Sequence, residues 1–374
     1  MENWTSGEGH LITTHFFTGY PGFLGARLLP RVLERDPTAR ALCLVQEKFM
    51  GVARHRLDHL RLADPATADR VQLVEGDIVS PDLGLDADGA SRAREADEIW
   101  HLAAVYDLSV SRELGLKVNV EGTRHVLDLA ARCPDLGRLH HVSTCYVSGR
   151  YAGVFGEEDL EKDQTFNNFY EETKFLAEVE VRQAARAGLP TTVYRPAIVV
   201  GDSRSGETQK YDGPYFIIRW VLRQPWTALV PVVGDPDATR VNLVPSNFVL
   251  DAIVHLSALP HARDRTYQLA DPDPLTVSEM LSVIERATGK KVRTIPLPRR
   301  TVKWTLDRVP GVYRVTGIPS AAVDYFAHPT HYATHQASTD LAGSGVTVPS
   351  FETYADRLVH YMREHPKLGS RAMA

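Results

Sequence analysis

A chain of 374 residues, 43% of them hydrophobic, can bury a sizeable core as one large domain or two intimate ones. Its 42 Lys and Arg against 47 Asp and Glu leave a formal charge of -5, with no basic block to neutralise phosphates along a duplex, which speaks against a nucleic-acid binder. Cys43, Cys133 and Cys145 form no CxxC pair, no run approaches the roughly 18 apolar residues of a membrane span, and the polar start lacks a signal peptide's basic and apolar regions. The expectation is a cytoplasmic protein whose only membrane contact would be peripheral.

Residues 1–10 read as a loose tail. From there to about residue 200, β-rich runs at 12–18, 41–46, 71–75, 97–102, 138–143 and 191–200 alternate with helical stretches, the pattern of a parallel sheet covered on both faces. Ala41-Leu42-Cys43-Leu44-Val45 is apolar throughout, as a doubly buried strand requires. Asp202 to Lys210 is polar and Tyr211 to Pro236 is rich in aromatics and prolines, so a second region begins near 202. Thr266 to Leu269 predicts a last strand returning to the sheet. The expected organisation is a sheet domain over 11–201 with a return near 241–271, a second region over 202–240 and 272–366, and a tail at 367–374. Thr276 with Glu279 forms a capping box before Val277, Met280, Leu281 and Ile284, and Gly289 supplies the stop. Ser350 precedes the stripe Phe351, Tyr354, Ala355, Leu358, Val359 and Met362, which should dock on the core.

Thr18-Gly19-Tyr20-Pro21-Gly22-Phe23-Leu24-Gly25 lies between the first strand and an amphipathic segment. Glycines three apart let the chain turn sharply at Gly19, admit a pyrophosphate at Gly22 and seat the helix closely at Gly25. Further on, Tyr170 and Lys174 are four apart on a predicted helix and share a face. An ammonium there would stabilise a phenolate and make the tyrosine a usable proton donor and acceptor. Ser143 and Thr144 end a predicted strand, where one hydroxyl can bond a substrate carbonyl while Tyr170 delivers a proton, polarising it for hydride attack from a nicotinamide. Each motif alone has an ordinary reading, as a loop, a surface helix pair or a turn, and only their combination points to this chemistry.

Thr18 to Gly25 as TGxxGxxG, His101-Leu102-Ala103-Ala104, Asn119-Val120-Glu121-Gly122-Thr123, Ser143-Thr144, Tyr170 with Lys174, and Arg195-Pro196-Ala197 occur in the order of the extended short-chain dehydrogenase/reductases, which the chain resembles over about 185 residues. Gly22 to Gly25, His141 to Thr144 and Tyr194 to Ser203 are most similar to the male-sterility-like NAD-binding branch, which contains fatty acyl-CoA reductases and the terminal domains of carboxylic acid reductases. The resemblance implies an α/β fold, a Rossmann-type doubly wound parallel sheet with a smaller, interleaved C-terminal substrate-binding region. It implies Thr144 as the catalytic hydroxyl, Tyr170 as acid/base, and Lys174 as the lysine that also holds the nicotinamide ribose. Thr18, Gly19, Gly22, Phe23, Leu24 and Gly25 would hold the dinucleotide, Asp77 and Ile78 would approach its adenine, Ala103, Ala104 and Asn119 would line it, and Pro196 and Ile198 would border the nicotinamide.

At the end of the second strand stands Gln46-Glu47-Lys48. Lys48 favours the 2'-phosphate of NADP, although a one-residue shift would let Glu47 favour NAD. The expectation is NADP(H) over NAD(H), with Gln46 and Lys48 at the ribose. Cys145 as an acyl-capturing nucleophile is weighed against an inert buried thiol, which is preferred. His328, His331 and His335 with Asp324 have metal-ligand spacing only in a helix, which Pro329 interrupts, so no metal is expected. Tyr211, Tyr215, Phe216, Arg219, Trp220, Arg223 and Trp226 read equally as an acyl-chain wall with phosphate-binding arginines or as an amphipathic helix. Thr301 to Pro319 reads as a lid over an apolar substrate, a membrane-resting segment or a stretch packed against the sheet domain. The implied reaction is reduction of an acyl thioester, fatty acyl-CoA or acyl-carrier, to aldehyde or onward to alcohol, by a monomer or homodimer. Competing readings are a ketone/alcohol dehydrogenase on a sterol-like or other apolar substrate, a nucleotide-sugar epimerase, and a non-catalytic dinucleotide sensor.

Overall fold

A computed structural model describes residues 12–308 and 320–368. The tail expected at 1–10, the end of the chain past Leu368, and the 309–319 part of the suggested lid lie outside the described residues. In chain order the strands are β1 (Thr14–Thr18), β2 (Arg40–Val45), β3 (Val71–Glu75), β4 (Glu98–His101), β5 (Arg138–Val142), β6 (Gly153–Phe155) and β7 (Thr191–Pro196). They continue as β8 (Ile198–Val200), β9 (Thr227–Val232), β10 (Leu243–Pro245), β11 (Arg265–Leu269), β12 (Lys291–Pro296) and β13 (Thr330–Tyr332). Seven of them form one sheet in the order β11-β7-β5-β4-β1-β2-β3. The fold is α/β with a doubly wound sheet, as expected. The strand expected over 191–200 is divided at Ala197: its N–H bonds the Leu269 carbonyl, whereas the next N–H, of Ile198, bonds Asn242, and β8 pairs with β10 instead.

The chain divides into two compact units. The first takes the chain up to Ala104 with Lys117–Val142 and Glu180–Thr192. Its strands alternate large residues across the sheet, so Phe16, Leu42, Leu44, Ile99 and Leu139 meet Val126 and Leu129 in one core. On the opposite face Phe17 stacks on Trp100 at 5.6 Å and Trp100 on His140 at 3.9 Å between ring centroids. The strand order reverses between β1 and β4, both parallel to their neighbours, so the ends at Thr18 and His101 frame the position where doubly wound sheets bind ligands.

The second unit takes Val105–Leu116, Ser143–Val179 and the chain from Val193 onward. Its core gathers Tyr211, Tyr215, Ile217 and Ile218 with Met280, Ile284, Leu358 and Val359. The aromatic stretch is therefore core here, with Tyr211 and Tyr215 fully buried and only Trp226 standing out at 89% exposed. Thr276 accepts from the Glu279 N–H at 3.2 Å and Glu279 accepts from the Thr276 N–H at 2.8 Å, closing the expected capping box of the helix Val277–Thr288. The stripe after Ser350 is buried as expected, but Ser350 makes no side-chain cap: a short turn, Phe351–Thr353, precedes the helix Ala355–Glu364. The helix Arg299–Arg308 packs through Val302 against Val233 and Val323, residues of the second unit and not of the sheet domain against which packing was expected. No described helix is long and apolar enough to cross a membrane.

Candidate active site

A relay of hydrogen bonds at the ends of β1 and β4 fixes the glycine turn of the first unit. Thr123 gives its only hydroxyl proton to the Asn119 carbonyl at 2.6 Å, so the 2.9 Å contact with His101 Nε2 must be donated by the ring. His101 Nδ1 then accepts from Thr18 at 2.8 Å, leaving Thr18 Oγ1 to accept the Ala103 N–H at 3.2 Å. This clamp lays Gly19 on the β4 end. Gly19 has φ +88°, and a Cβ there would lie 2.8 Å from the Ala103 nitrogen. A Cβ on Gly22 or Gly25 would come within 2.7 or 2.6 Å of the Gly19 carbonyl oxygen. The helix Gly25–Glu34 begins directly after the turn, its Ala26 and Leu28 N–H groups bonding the Gly22 and Leu24 carbonyls, and the positive end of its dipole favours an anion such as a pyrophosphate there.

Phe23, Leu24, Ala103 and Ala104 are half-buried around this turn, and Asn119 is buried. Gln46 donates to Asp77 Oδ2 at 2.8 Å, which brings together the two residues expected near the adenosine. Lys48 is exposed in the first turn of the helix Glu47–Ala63. The Ile78 side chain is buried in the core, its Cδ1 lying 2.7 Å from where a Gly122 Cβ would be.

In the second unit Ser143 and Thr144 part company. Ser143 donates to the buried Glu178 at 2.6 Å. Glu178 in turn takes two Nη and Nε bonds from Arg195, at 2.6 and 3.1 Å, with both side chains fully buried. Thr144 accepts the Tyr146 N–H at 3.3 Å, donates to the Pro196 carbonyl oxygen at 3.4 Å, and lies near enough to the Tyr170 hydroxyl to draw its pKa down. Thr144 is therefore the hydroxyl that meets the tyrosine. Tyr170 opens the helix Phe169–Arg186 and Lys174 follows one turn later, 4% exposed. Burial pushes the Tyr170 hydroxyl well above its ordinary value, although Thr144 opposes it. Burial also pulls Lys174 down to about 8, against the attraction of Glu178. Desolvation penalises both charged forms, so burial opposes the attraction between the Lys174 ammonium and a Tyr170 phenolate.

Three further groups of the same unit, which the sequence did not single out, form a cluster, two of them acting electrostatically on Tyr170. Lys210, 9% exposed, forms a 2.7 Å ion pair with Asp212 and lies 4.2 Å above the Tyr106 ring. Asp212 precedes Gly213, whose Cβ position lies 3.0 Å from Ile198 Cγ2, two residues past Pro196. The three come from segments about a hundred residues apart, and none belongs to a recognisable local pattern.

Glu171, fully buried next to Tyr170, is pushed up to about 7 by burial despite hydrogen bonds from the Asn167 N–H at 2.8 Å and Nδ2 at 3.1 Å. The folded chain holds this proton more tightly than the unfolded one, so the group's contribution to stability is complete below about 4.5 and lost as pH rises through about 7. At ~1.4 kcal/mol per pKa unit the loss is on the order of 3 kcal/mol. Urea unfolding across pH 4.5 to 7 should show this decline, and Glu171→Gln should flatten it; equal slopes in both proteins would contradict the assignment.

Cys145 donates to the Arg195 carbonyl at 3.0 Å and burial raises its thiol far above the ordinary value, so it lacks a nucleophile's thiolate character. His331 lies in β13 rather than in a helix, and His328 bonds the Tyr332 hydroxyl at 2.7 Å. Among the described residues no three His, Cys, Asp or Glu side chains are grouped to hold a metal.

The sequence matches the family described as "Male sterility protein" over residues 17–253. The chain superposes with a TM-score of 0.80 on the crystal structure of the terminal R domain from the myxalamid PKS-NRPS biosynthetic pathway, at 30% identity, covering 96% of this chain and 92% of that one. A linear gramicidin synthase of Brevibacillus parabrevis is 30% identical over 72% of this chain, which spans only 5% of that protein. Fatty acyl-CoA reductase wat from Drosophila melanogaster is 26% identical over 67% of this chain and 54% of its own length.

Proposed function

The chain belongs to the male sterility protein family of NAD-binding proteins, and from that premise we propose that it reduces an acyl thioester to an aldehyde with NADPH. It is an NAD(P)-binding reductase of the extended short-chain dehydrogenase/reductase type. The observation that carries the proposal is Thr144 acting on the Tyr170 hydroxyl one helical turn before Lys174, with Ser143 withdrawn to Glu178. The choice of a thioester rests on the likeness, over nearly the whole chain, to a terminal R domain, and on the more distant likeness to a fatty acyl-CoA reductase.

Bound at the glycine turn, the dinucleotide would supply the hydride. Thr144 binds the thioester carbonyl oxygen and Tyr170 gives it a proton as charge develops. A tyrosine whose pKa is raised by burial arrives protonated, as a reduction requires. Lys174, drawn down only to about 8, still carries its charge at neutral pH and can hold the ribose. Exposed Lys48 supports a preference for the 2'-phosphate of NADPH, while Asp77 next to Gln46 opposes it. The ratio of kcat/KM for NADPH and NADH decides between them.

Gly25→Ala is expected to weaken nicotinamide dinucleotide binding by at least about tenfold, because its Cβ meets a backbone oxygen that cannot yield, whereas Gly51→Ala, with nothing within 4 Å, should bind normally and gain about 0.5–1 kcal/mol of stability. Fluorescence titration checks both. The proposal itself is tested by turnover of purified protein with NADPH or NADH and acyl-CoAs of different chain length, reading nicotinamide loss and free thiol together. Matched loss and thiol support it. Turnover of apolar ketones without any thioester turnover would replace it with ketone/alcohol interconversion.

A further inference from the structure

We propose that Lys210, held by Asp212 over the ring of Tyr106, is the acid that protonates the departing thiol sulfur. The proposal rests on the thioester reading above and adds a residue to it.

Reduction of a thioester to an aldehyde makes two proton demands, and Tyr170 can meet only one of them at a time. Hydride addition to the carbonyl carbon sends the π pair to oxygen, which takes the Tyr170 proton and leaves a hemithioacetal and a phenolate. In the collapse the hemithioacetal hydroxyl returns its proton to Tyr170, the C=O bond re-forms, and the C–S bond breaks with its electron pair on sulfur. That sulfur takes a proton from Lys210 Nζ, and the neutral amine is then recharged by solvent. The sum is thioester, reduced nicotinamide and one proton giving aldehyde, thiol and oxidised nicotinamide.

The segment that carries Lys210 packs beside the one that meets Thr144. Thr144 Oγ1 lies 3.4 Å from the Pro196 carbonyl, Ile198 follows two residues on, and its side chain lies against Gly213. Asp212, the preceding residue, pairs with Lys210 at 2.7 Å, and Lys210 sits 4.2 Å from the Tyr106 ring centroid. Asp212 and Tyr106 both act electrostatically on the Tyr170 hydroxyl. The neighbouring acids are unsuited. The Cys145 thiol is bound to the Arg195 carbonyl, and the Glu171 carboxyl is fully buried on Asn167. A buried lysine paired with a carboxylate has no evident packing role on a segment otherwise rich in aromatic core residues, and its ammonium offers three donors to a departing sulfur.

The test uses the full chain and one acyl group on two leaving thiols, the alkyl thiol N-acetylcysteamine and the acidic aryl thiol thiophenol. Lys210→Met should lose about 10²-fold in kcat on the alkyl thioester and only a few-fold on the aryl thioester, whose thiolate leaves without help. Lys210→Arg keeps the charge but gives up its proton far less readily, and should resemble Lys210→Met on the alkyl thioester. Unaltered nicotinamide binding and circular dichroism in the variants exclude misfolding as the cause. A loss equal on both thioesters, full rescue by arginine, or no loss at all would overturn the assignment while leaving thioester reduction standing. Absence of thioester turnover in the wild type would overturn both.

Discussion

Tyr170→Phe is expected to lower turnover by roughly two to four orders of magnitude while nicotinamide binding persists. The substitution removes one oxygen and leaves the ring that packs at the start of the helix Phe169–Arg186. Its hydroxyl is the group on which Thr144 acts, and burial favours its protonated form, so the variant loses the donor and nothing replaces it. Thr144→Val should cost about 10²–10³-fold, as for removal of one oxyanion donor. The double variant should lose less than the product of the two, because the residues act on one oxygen. Steady-state kinetics with a dinucleotide titration separates the chemistry from binding. A Tyr170→Phe protein that retained a tenth of its turnover would show that another group delivers the proton.

The second large effect is on stability. Arg195 and Glu178 are both fully buried, joined at 2.6 Å, with Arg195 also donating to the Asp159 carbonyl at 2.7 Å and lying 5.4 Å from the Phe155 ring. Removing one member leaves an uncompensated buried charge, so Arg195→Met or Glu178→Leu should each destabilise the second unit by about 3–5 kcal/mol. Replacing both should recover much of that, since two apolar groups carry no desolvation cost. Urea midpoints of the two single variants and the double variant measure the coupling; additive losses would contradict it. Glu178→Leu has a further consequence at the site. It frees Ser143 and removes the charge that opposes the downward shift of Lys174, so the lysine should titrate below 8.

The sheet was legible because parallel strands buried on both faces declare themselves locally: β2, five of whose six residues are buried, is apolar from Ala41 to Val45. The Thr276–Glu279 box was legible for the same reason, its partners being three residues apart. The break at Ala197 was not, because it depends on two carbonyls, Leu269 and Asn242, contributed from far along the chain. Nor was the conformation around His331, where the strand exists through pairing of β13 with β6. At the site, Tyr170 and Lys174 could be found by spacing, but burial decides the directions of their pKa shifts and no spacing encodes it. The preference for Thr144 over Ser143 hangs on Glu178, and the cluster of Tyr106, Lys210 and Asp212 on a loop closing over a distant segment.

The most direct measurement is to run the reaction with nicotinamide deuterated at C4 and a long-chain acyl-CoA, and to determine the aldehyde by mass spectrometry alongside released thiol. The account predicts one deuterium on the aldehyde carbon for each thiol freed, with Tyr170→Phe suppressing both together. Thiol release without deuterium in the product, or deuterium appearing only in ketone-derived alcohols, would contradict it.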